Sequence, residues 1–486
     1  MMERSGHPGR LTCQACGASP DPDDLFPIRC PDAPIYNSNS AAADPRDHLL
    51  VRDRGVGGDI IINSDSHRVN FPQAPFDSNQ PFVRYRHFLL AHGLALRHGL
   101  DDRGFIDLVL DLDACVCKVD GRGFAATPCV RASDLESQLV PEGELWIKDE
   151  TANVTGTHKG RHLFAILLHL ELETRLSSEA NQTVRAVAPE APLVIASCGN
   201  AALAAAVVAK AGDRELHVLV PADADPTVVE KIVRLGASVE VCPRIEGRVG
   251  DPCMHRLHES IEGGEVPFTV QGQVNGLSLE GGLTLGYELI STMVERGGVF
   301  DRVFVQVGGG ALGSSLVLAL QEAVSLGLIE HLPRIHAVQT SGAHPLERAY
   351  RLVQDQGLPP SEALDRAASN RRGFMWPWET TPKSRAHGIL DDETYDWLPI
   401  ARGMLESGGE PVVVTEDDLL EAESLANQPG VRDGSEPRVD ATGAAGLAGL
   451  IRLKKEGEIR ADESIAVLFT GAHRAANPPG ADSGDA

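Results

Sequence analysis

The sequence predicts an α/β fold with parallel sheets, and three observations carry that expectation. From residue 144 onward, short apolar runs alternate with amphipathic stretches; the runs lie at 145–147, 193–196, 217–220, 238–241, 303–307 and 334–338. Strands separated by helical stretches imply parallel pairing through right-handed crossovers. Two of the runs, at 193–196 and 303–307, lead directly into small-residue turns and then into helical patterns rich in Ala or Leu. The chain is also 486 residues long, which is more than one core usually organises, so several units are expected.

Taken in order, residues 1–83 read as an N-terminal extension. It carries Cys13-x-x-Cys16-Gly17 and Cys30, half of a zinc-ribbon spacing; the second Cys-x-x-Cys would need a cysteine where Ala33 stands. Three thiolates fall short of the four ligands of a structural zinc site, so no metal is expected. Residues 37–70, rich in Asn, Ser, Asp and Gly, read as loop, arm or partner contact. Helical patterns occupy about 88–119. The strand–helix alternation then divides into a smaller unit over 84–285 and a larger one over 286–474, followed by a disordered tail at 475–486 rich in Pro, Gly, Ala and Asp.

The chemistry concentrates in three places. Lys159 follows Thr155-Gly156-Thr157-His158 and precedes the apolar residues Leu163, Phe164, Ile166, Leu167, Leu168 and Leu170. An amine is thereby held at the start of a buried helix, where a cofactor aldehyde can condense with it as a Schiff base. The chain has only 8 Lys against 36 Arg, so a lysine in that setting is less readily taken for a solubilising charge. The second place is the turn Ser197-Cys198-Gly199-Asn200-Ala201. The third is Gly308-Gly309-Gly310-Ala311-Leu312-Gly313, whose main-chain amides at a helix N-terminus can cradle a phosphate.

In this order, lysine, asparagine turn and glycine loop resemble the fold-type II pyridoxal-phosphate enzymes, the tryptophan synthase β superfamily, and threonine synthases most of all. The likeness runs from Gly123 to Arg474, about three quarters of the chain. It includes Thr127-Pro128, Lys148-Asp149-Glu150, Asn275, Glu280-Gly281, Thr442-Gly443-Ala444 and Leu468-Phe469-Thr470-Gly471. The resemblance implies two intertwined α/β subdomains with pyridoxal 5'-phosphate between them. Lys159 would hold the cofactor and move the substrate α-proton. Asn200 would bond the phenolic oxygen, and 308–312 the phosphate. The Thr470 hydroxyl would face the pyridine nitrogen. Thr155, Ser197, Cys198, Gly199 and Ala201 would receive the substrate carboxylate.

The same resemblance implies a lyase or synthase acting on an amino acid by elimination or replacement at the β or γ carbon. A serine/threonine-type ammonia-lyase and a cysteine- or cysteate-forming synthase are the nearest alternatives, and an inert cofactor-binding subunit is the non-enzymatic one. One departure bears on substrate: threonine synthases generally carry an arginine near the position of Ser278. Gly308-x-Gly310-x-x-Gly313 also spells a dinucleotide fingerprint, but the next strand ends Gln339-Thr340-Ser341 without the acid that would hold a ribose. The clustering of Cys253, His255 and His258 reads as a surface helix with a partly buried thiol.

A net charge of −25 argues against nucleic-acid and anionic-membrane partners, which require clustered Lys and Arg. No apolar run approaches the ~20 residues of a membrane span, and the first ten residues lack the apolar core of a secretory signal. A cytoplasmic homodimer acting on a small-molecule amino acid is the expectation.

Overall fold

The computed structural model describes residues 10–34, 44–53, 71–179, 191–244, 247, 250–432 and 437–473. The tail and most of 37–70 lie outside these residues. Its strands are β1 (Arg10–Cys13), β2 (Leu50–Asp53), β3 (Cys129–Arg131), β4 (Glu144–Asp149), β5 (Leu193–Ala196), β6 (Leu216–Pro221), β7 (Ser238–Cys242), β8 (Val266–Pro267), β9 (Arg302–Gln306), β10 (Arg334–Thr340), β11 (Pro411–Val414) and β12 (Ser464–Phe469).

Two larger sheets organise the chain, in the orders β7-β6-β5-β8 and β11-β10-β9-β12-β4-β3. Every pairing in them is parallel except β3 with β4. Each apolar run singled out from the sequence is a strand, and helices make the connections. β12 lies buried between β9 and β4, so both its faces are apolar from Ile465 to Phe469. Such a run cannot be told from a buried helix by periodicity.

A boundary at residue 285 does not partition the strands. β4 comes early in the chain but pairs with β12, Leu145 lying opposite Ile465 and Ile147 opposite Val467. Those four side chains share one buried cluster, which draws the early strand into the later sheet.

This arrangement positions the lysine. β4 ends at Asp149, a turn follows, and the helix Lys159–Glu179 begins. That helix packs against the helices Asn200–Ala211 and Ser278–Arg296. The approach is close: a Cβ at Gly281 would run into the Arg161 carbonyl, so only glycine fits the crossing.

A buried polar knot joins the same elements. Arg161 is fully buried and donates to both carboxylate oxygens of Glu150 at 2.9 Å each, to Glu288 Oε1 at 2.7 Å and to Thr284 Oγ1 at 2.9 Å. Lys148 Nζ donates to Glu288 Oε2 at 2.6 Å and to the Thr127 carbonyl at 2.7 Å. Two cations thus face two carboxylates at the root of the lysine helix, and each charge has a partner. The family-like Lys148-Asp149-Glu150 segment is in this sense a structural device.

Candidate active site

The turn before Lys159 is held from several sides. Asn153 Nδ2 donates to Glu150 Oε2 at 2.7 Å, and the Thr155 amide donates to Asp120 Oδ2 at 3.1 Å. Thr155 adopts φ 59° and ψ 12°, the left-handed region that a β-branched residue avoids. Strain of that kind costs on the order of 1–3 kcal/mol and gathers at functional sites. Thr157 bridges to Gly471, which brings the lysine turn against the end of β12.

Lys159 and Thr470 thereby reach one cavity. It is lined by His158, Lys159, Asn200, Gln306, the loop 307–313, Gly388, Ile389, Thr442 and Thr470. A larger concavity around Val241, Arg244 and His255 gathers none of these groups. Gly310 has φ +100° and caps the helix Ala311–Ser325, so the glycine loop ends at a helix N-terminus. Gly308 and Gly309 pack on the opposite wall: a Cβ on Gly308 would collide with Asp391 Oδ2 and come within 2.9 Å of Ile389 Cα.

The electrostatics of the cavity follow from burial. Lys159 is half-buried, and desolvation pulls its ammonium below the ordinary lysine range while Asp391 and Asp396 act the other way. Burial pushes Asp391 up to about 6; Lys159 and the Gly309 amide hold it down, while Asp251 and Asp392 push with burial. Burial pushes Asp396 up to about 7, against the amides of Gly272 and Gln273, which donate to it at 2.8 and 3.0 Å. Asp396 N–H in turn donates to the Gly309 carbonyl at 2.9 Å.

His158 is buried and held well below its usual range by desolvation, with Lys159 and His162 adding to the effect, so its ring is neutral. Its Nδ1 lies 3.4 Å from the Thr470 carbonyl. A carbonyl only accepts, so Nδ1 carries the proton and Nε2 is a buried acceptor without a protein partner. Gln306 Nε2 donates to the Gly443 carbonyl at 2.9 Å and also to Thr470 Oγ1. The Thr470 hydroxyl therefore accepts from Gln306 and keeps its own proton to donate.

The structure brings together Lys159, Asn200, Gly308, Gly309, Gly310, Ala311, Leu312 and Thr470 along the cavity. Thr155, Ser197, Cys198, Gly199 and Ala201 are not among its lining residues. The Thr155 Oγ1 is nevertheless buried without a hydrogen-bond partner. Sequence reasoning missed Gln306, Thr442, Gly388 and Asp391. Thr442 Oγ1 accepts from the Gly388 amide at 3.0 Å and so fixes the wall opposite the loop. The Trp376–Trp378 aromatics hold Arg348, whose guanidinium lies 3.8 Å over the Trp376 ring.

The expected shortage of N-terminal metal donors is corrected. The ligand atoms of Cys13, Cys16, Cys30 and His48 all lie within 4.8 Å of one another. The fourth donor comes from a position 18 residues beyond Cys30, brought back by antiparallel pairing of β1 with β2, which no local spacing could signal. Cys253, His255 and His258 form no such grouping among the described residues.

The model of the family described as pyridoxal-phosphate dependent enzyme matches residues 122–471. The chain belongs to that family. Like its relatives, this pyridoxal-phosphate enzyme is of the lyase and synthase kind. It is 26% identical over 349 residues to a threonine synthase of Methanocaldococcus jannaschii, covering 71% of this chain and 74% of the relative. It is also 26% identical over 330 residues to a threonine synthase of Methanosarcina acetivorans, covering 68% and 70%. Among solved structures, a threonine deaminase from T.th. superposes with a TM-score of 0.53 at 22% identity, over 76% of this chain and 99% of that one. Diaminopropionate ammonia lyase from Escherichia coli does so with 0.54 at 15%, over 76% and 89%. Both share the fold.

Pyridoxal 5'-phosphate suits the residues present. The cavity offers a lysine whose proton is weakly held, a glycine loop at a helix N-terminus, and a hydroxyl with a free proton. It also has buried acceptors on His158 Nε2 and Gln306 Oε1 that no protein atom satisfies. Among the described residues, no helix is long and apolar enough to cross a membrane.

Proposed function

We propose that the site acts on a free amino acid by removing its α-proton and expelling a group from the β or γ carbon, with Lys159 as the base. The pattern of a threonine synthase is kept, but a phosphorylated homoserine is not the preferred substrate. Pyridoxal phosphate, when bound, supplies an electron sink for the α-carbon. The amides of 308–312 would hold its phosphate, Asn200 its phenolic oxygen, and the Thr470 hydroxyl its ring nitrogen. A neutral hydroxyl leaves that nitrogen unprotonated, which suits elimination and replacement better than transamination. Lys159, with its proton weakly held, can attach the cofactor and, once displaced, take the α-proton.

The observation that carries the substrate reading is the charge at the cavity. Among the described residues lining it, Lys159 is the sole Lys or Arg. Ser278 is fully buried, its hydroxyl donating to the Val270 carbonyl at 3.2 Å. Arg385, the nearest replacement by sequence pattern, faces Glu423 at 3.6 Å, and Lys383 is exposed. Acids stand close instead. Burial raises the Cys198 thiol, and Asp223, Asp251 and Asp391 raise it further. A dianionic leaving group needs charge-assisted donors, whereas a hydroxyl or an amine does not. This favours the ammonia-lyase alternative over phosphate release.

The test is an absorbance and product screen of the reconstituted protein against hydroxy- and diamino acids and O-phospho and O-acetyl esters. A long-wavelength band with a hydroxy-, acetyl- or amino-bearing substrate is expected. Threonine formation from phosphohomoserine at about 10⁴ M⁻¹s⁻¹ or above, the ordinary enzyme range, would restore plain threonine synthase. Failure of every amino acid to shift the spectrum would mark an inert subunit. The same reading takes the protein as a cytoplasmic homodimer, and sedimentation of the purified protein tests the dimer.

A further inference from the structure

We propose that Cys13, Cys16, Cys30 and His48 bind one zinc ion, which cross-links the two ends of the N-terminal extension and holds it folded. Cys13 ends β1, and Cys16 follows in a tight turn in which the Gly17 amide donates to the Cys13 carbonyl at 2.9 Å. Antiparallel pairing sets Cys13 opposite Leu50, so His48, two residues before Leu50, arrives beside the turn. Cys30 comes up from the intervening loop and is fully buried.

Three of the separations match the edges of a tetrahedral site, and all four ligand atoms lie within 4.8 Å of one another. Cys16 Sγ lies 3.5 Å from Cys30 Sγ, and His48 Nδ1 lies 3.5 Å from Cys13 Sγ and 3.7 Å from Cys16 Sγ. Zinc bonds of about 2.3 Å to sulfur and about 2.0–2.1 Å to nitrogen give tetrahedral edges of about 3.8 Å for S···S and about 3.6 Å for S···N. The sulfur pair is far beyond the ~2.05 Å of a disulfide. His48 Nε2 lies 3.1 Å from Asp44 Oδ2, and Arg46 holds that carboxylate at 2.7 Å. A carboxylate accepting from Nε2–H leaves the Nδ1 lone pair aimed at the sulfurs, the usual second partner of a metal-bound imidazole. Three soft thiolates and an imidazole in this geometry select zinc. Four protein donors leave no open position, so the ion is structural.

A second observation shows why the segment needs one. Its own apolar cluster holds only Cys13, Cys30 and Leu50 as buried members, and two of the three are ligands. Leu25, Phe26 and Leu49 pack the segment into the main core, but around the ligands themselves a core that small gains most from a cross-link or metal. The consequence reaches the active site. Asp47, next to His48 and itself buried, accepts from Trp397 Nε1 at 2.7 Å and from Gln273 Nε2. The Gln273 amide donates to Asp396, whose own amide donates to Gly309 in the phosphate loop.

The test is elemental analysis of the full-length protein, purified with reductant and without chelator from zinc-supplemented cells. About one zinc per chain is expected, with the Cys30→Ser variant losing it. Asp44→Ala, which leaves all four ligands, should weaken zinc binding by about 10–100-fold. Should Cys30→Ser fail to fold, cobalt exchanged into the wild-type protein gives an independent reading, with thiolate-to-cobalt charge-transfer bands and the intense visible bands of a tetrahedral site. Wild-type protein with less than about a tenth of a zinc per chain, another metal at stoichiometry, cobalt spectra without thiolate bands, or a Cys16–Cys30 disulfide in fresh protein would each overturn the proposal.

Discussion

Arg161 is two residues from the lysine, fully buried, and bound to two carboxylates, and replacing it by methionine should unsettle the site from beneath. The substitution keeps most of the side-chain volume but removes one of two cations facing Glu150 and Glu288. Lys148 cannot serve both: it holds Glu288 at 2.6 Å and stands 3.9 Å from Glu150. Breaking one partner of a buried pair costs about 3–5 kcal/mol. For a chain of this size that corresponds to a fall of about 3–5 °C in melting temperature.

The pH dependence has a defined sign. Burial alone would raise Glu150, but Arg161 and Lys148 hold it down to about 2. A carboxylate lowered in the fold contributes stability that is full above its unfolded value near 4.5 and is lost as pH falls toward 2. Arg161→Met removes the main group that lowers Glu150, so its destabilisation should be largest at neutral pH and shrink as pH falls below about 4.5 and Glu150 is protonated in both proteins. Adding Glu150→Gln restores neutrality and should return at least about 1 kcal/mol, a coupling that a double-mutant cycle reads directly. Circular-dichroism melts of the four proteins at pH 7 and about pH 3 make the measurement. A variant melting within about 1 °C of wild type would refute the idea that this knot secures the lysine helix.

Further outcomes follow from the cavity wall. Gly308→Ala should weaken cofactor binding more than Gly309→Ala, because its Cβ collides with Asp391 and the Ile389 backbone, whereas a Cβ on Gly309 comes no nearer than 3.2 Å to Tyr395 Cδ2 and 3.5 Å to Asp391 Oδ1; fluorescence titration with pyridoxal phosphate ranks them, and equal affinities would contradict the packing. Thr470→Ala should leave Gln306 without that acceptor and the ring nitrogen without its donor. A loss in kcat with little change in KM is expected, and steady-state kinetics on the substrate found by screening would detect the opposite pattern.

Much of this was legible in the sequence because the decisive features are local. Lys159 after a Thr-Gly-Thr turn, and Gly308 to Gly313 between a strand and a helix, announce themselves within a dozen residues. The alternation of apolar runs likewise reports β5, β6, β7, β9 and β10 directly. What escaped depends on distance along the chain. β4 joins β12 across more than 300 residues because their apolar faces share a cluster. Gln306 reads as an ordinary strand end until it is seen bonded to Thr470. Asp391 gains its role from burial beside Lys159, which spacing does not encode. His48 is the plainest case: a lone histidine in a polar stretch becomes a donor only when β2 pairs with β1.

The central claim is that Lys159 carries the cofactor and does the chemistry. Borohydride reduction of the reconstituted enzyme, followed by peptide mapping, tests it most directly. A pyridoxyl label on Lys159 alone is expected, absent from the Lys159→Ala protein, which should also lose turnover. A label on Lys148 or Lys383, or an unchanged yield of label in Lys159→Ala, would contradict it.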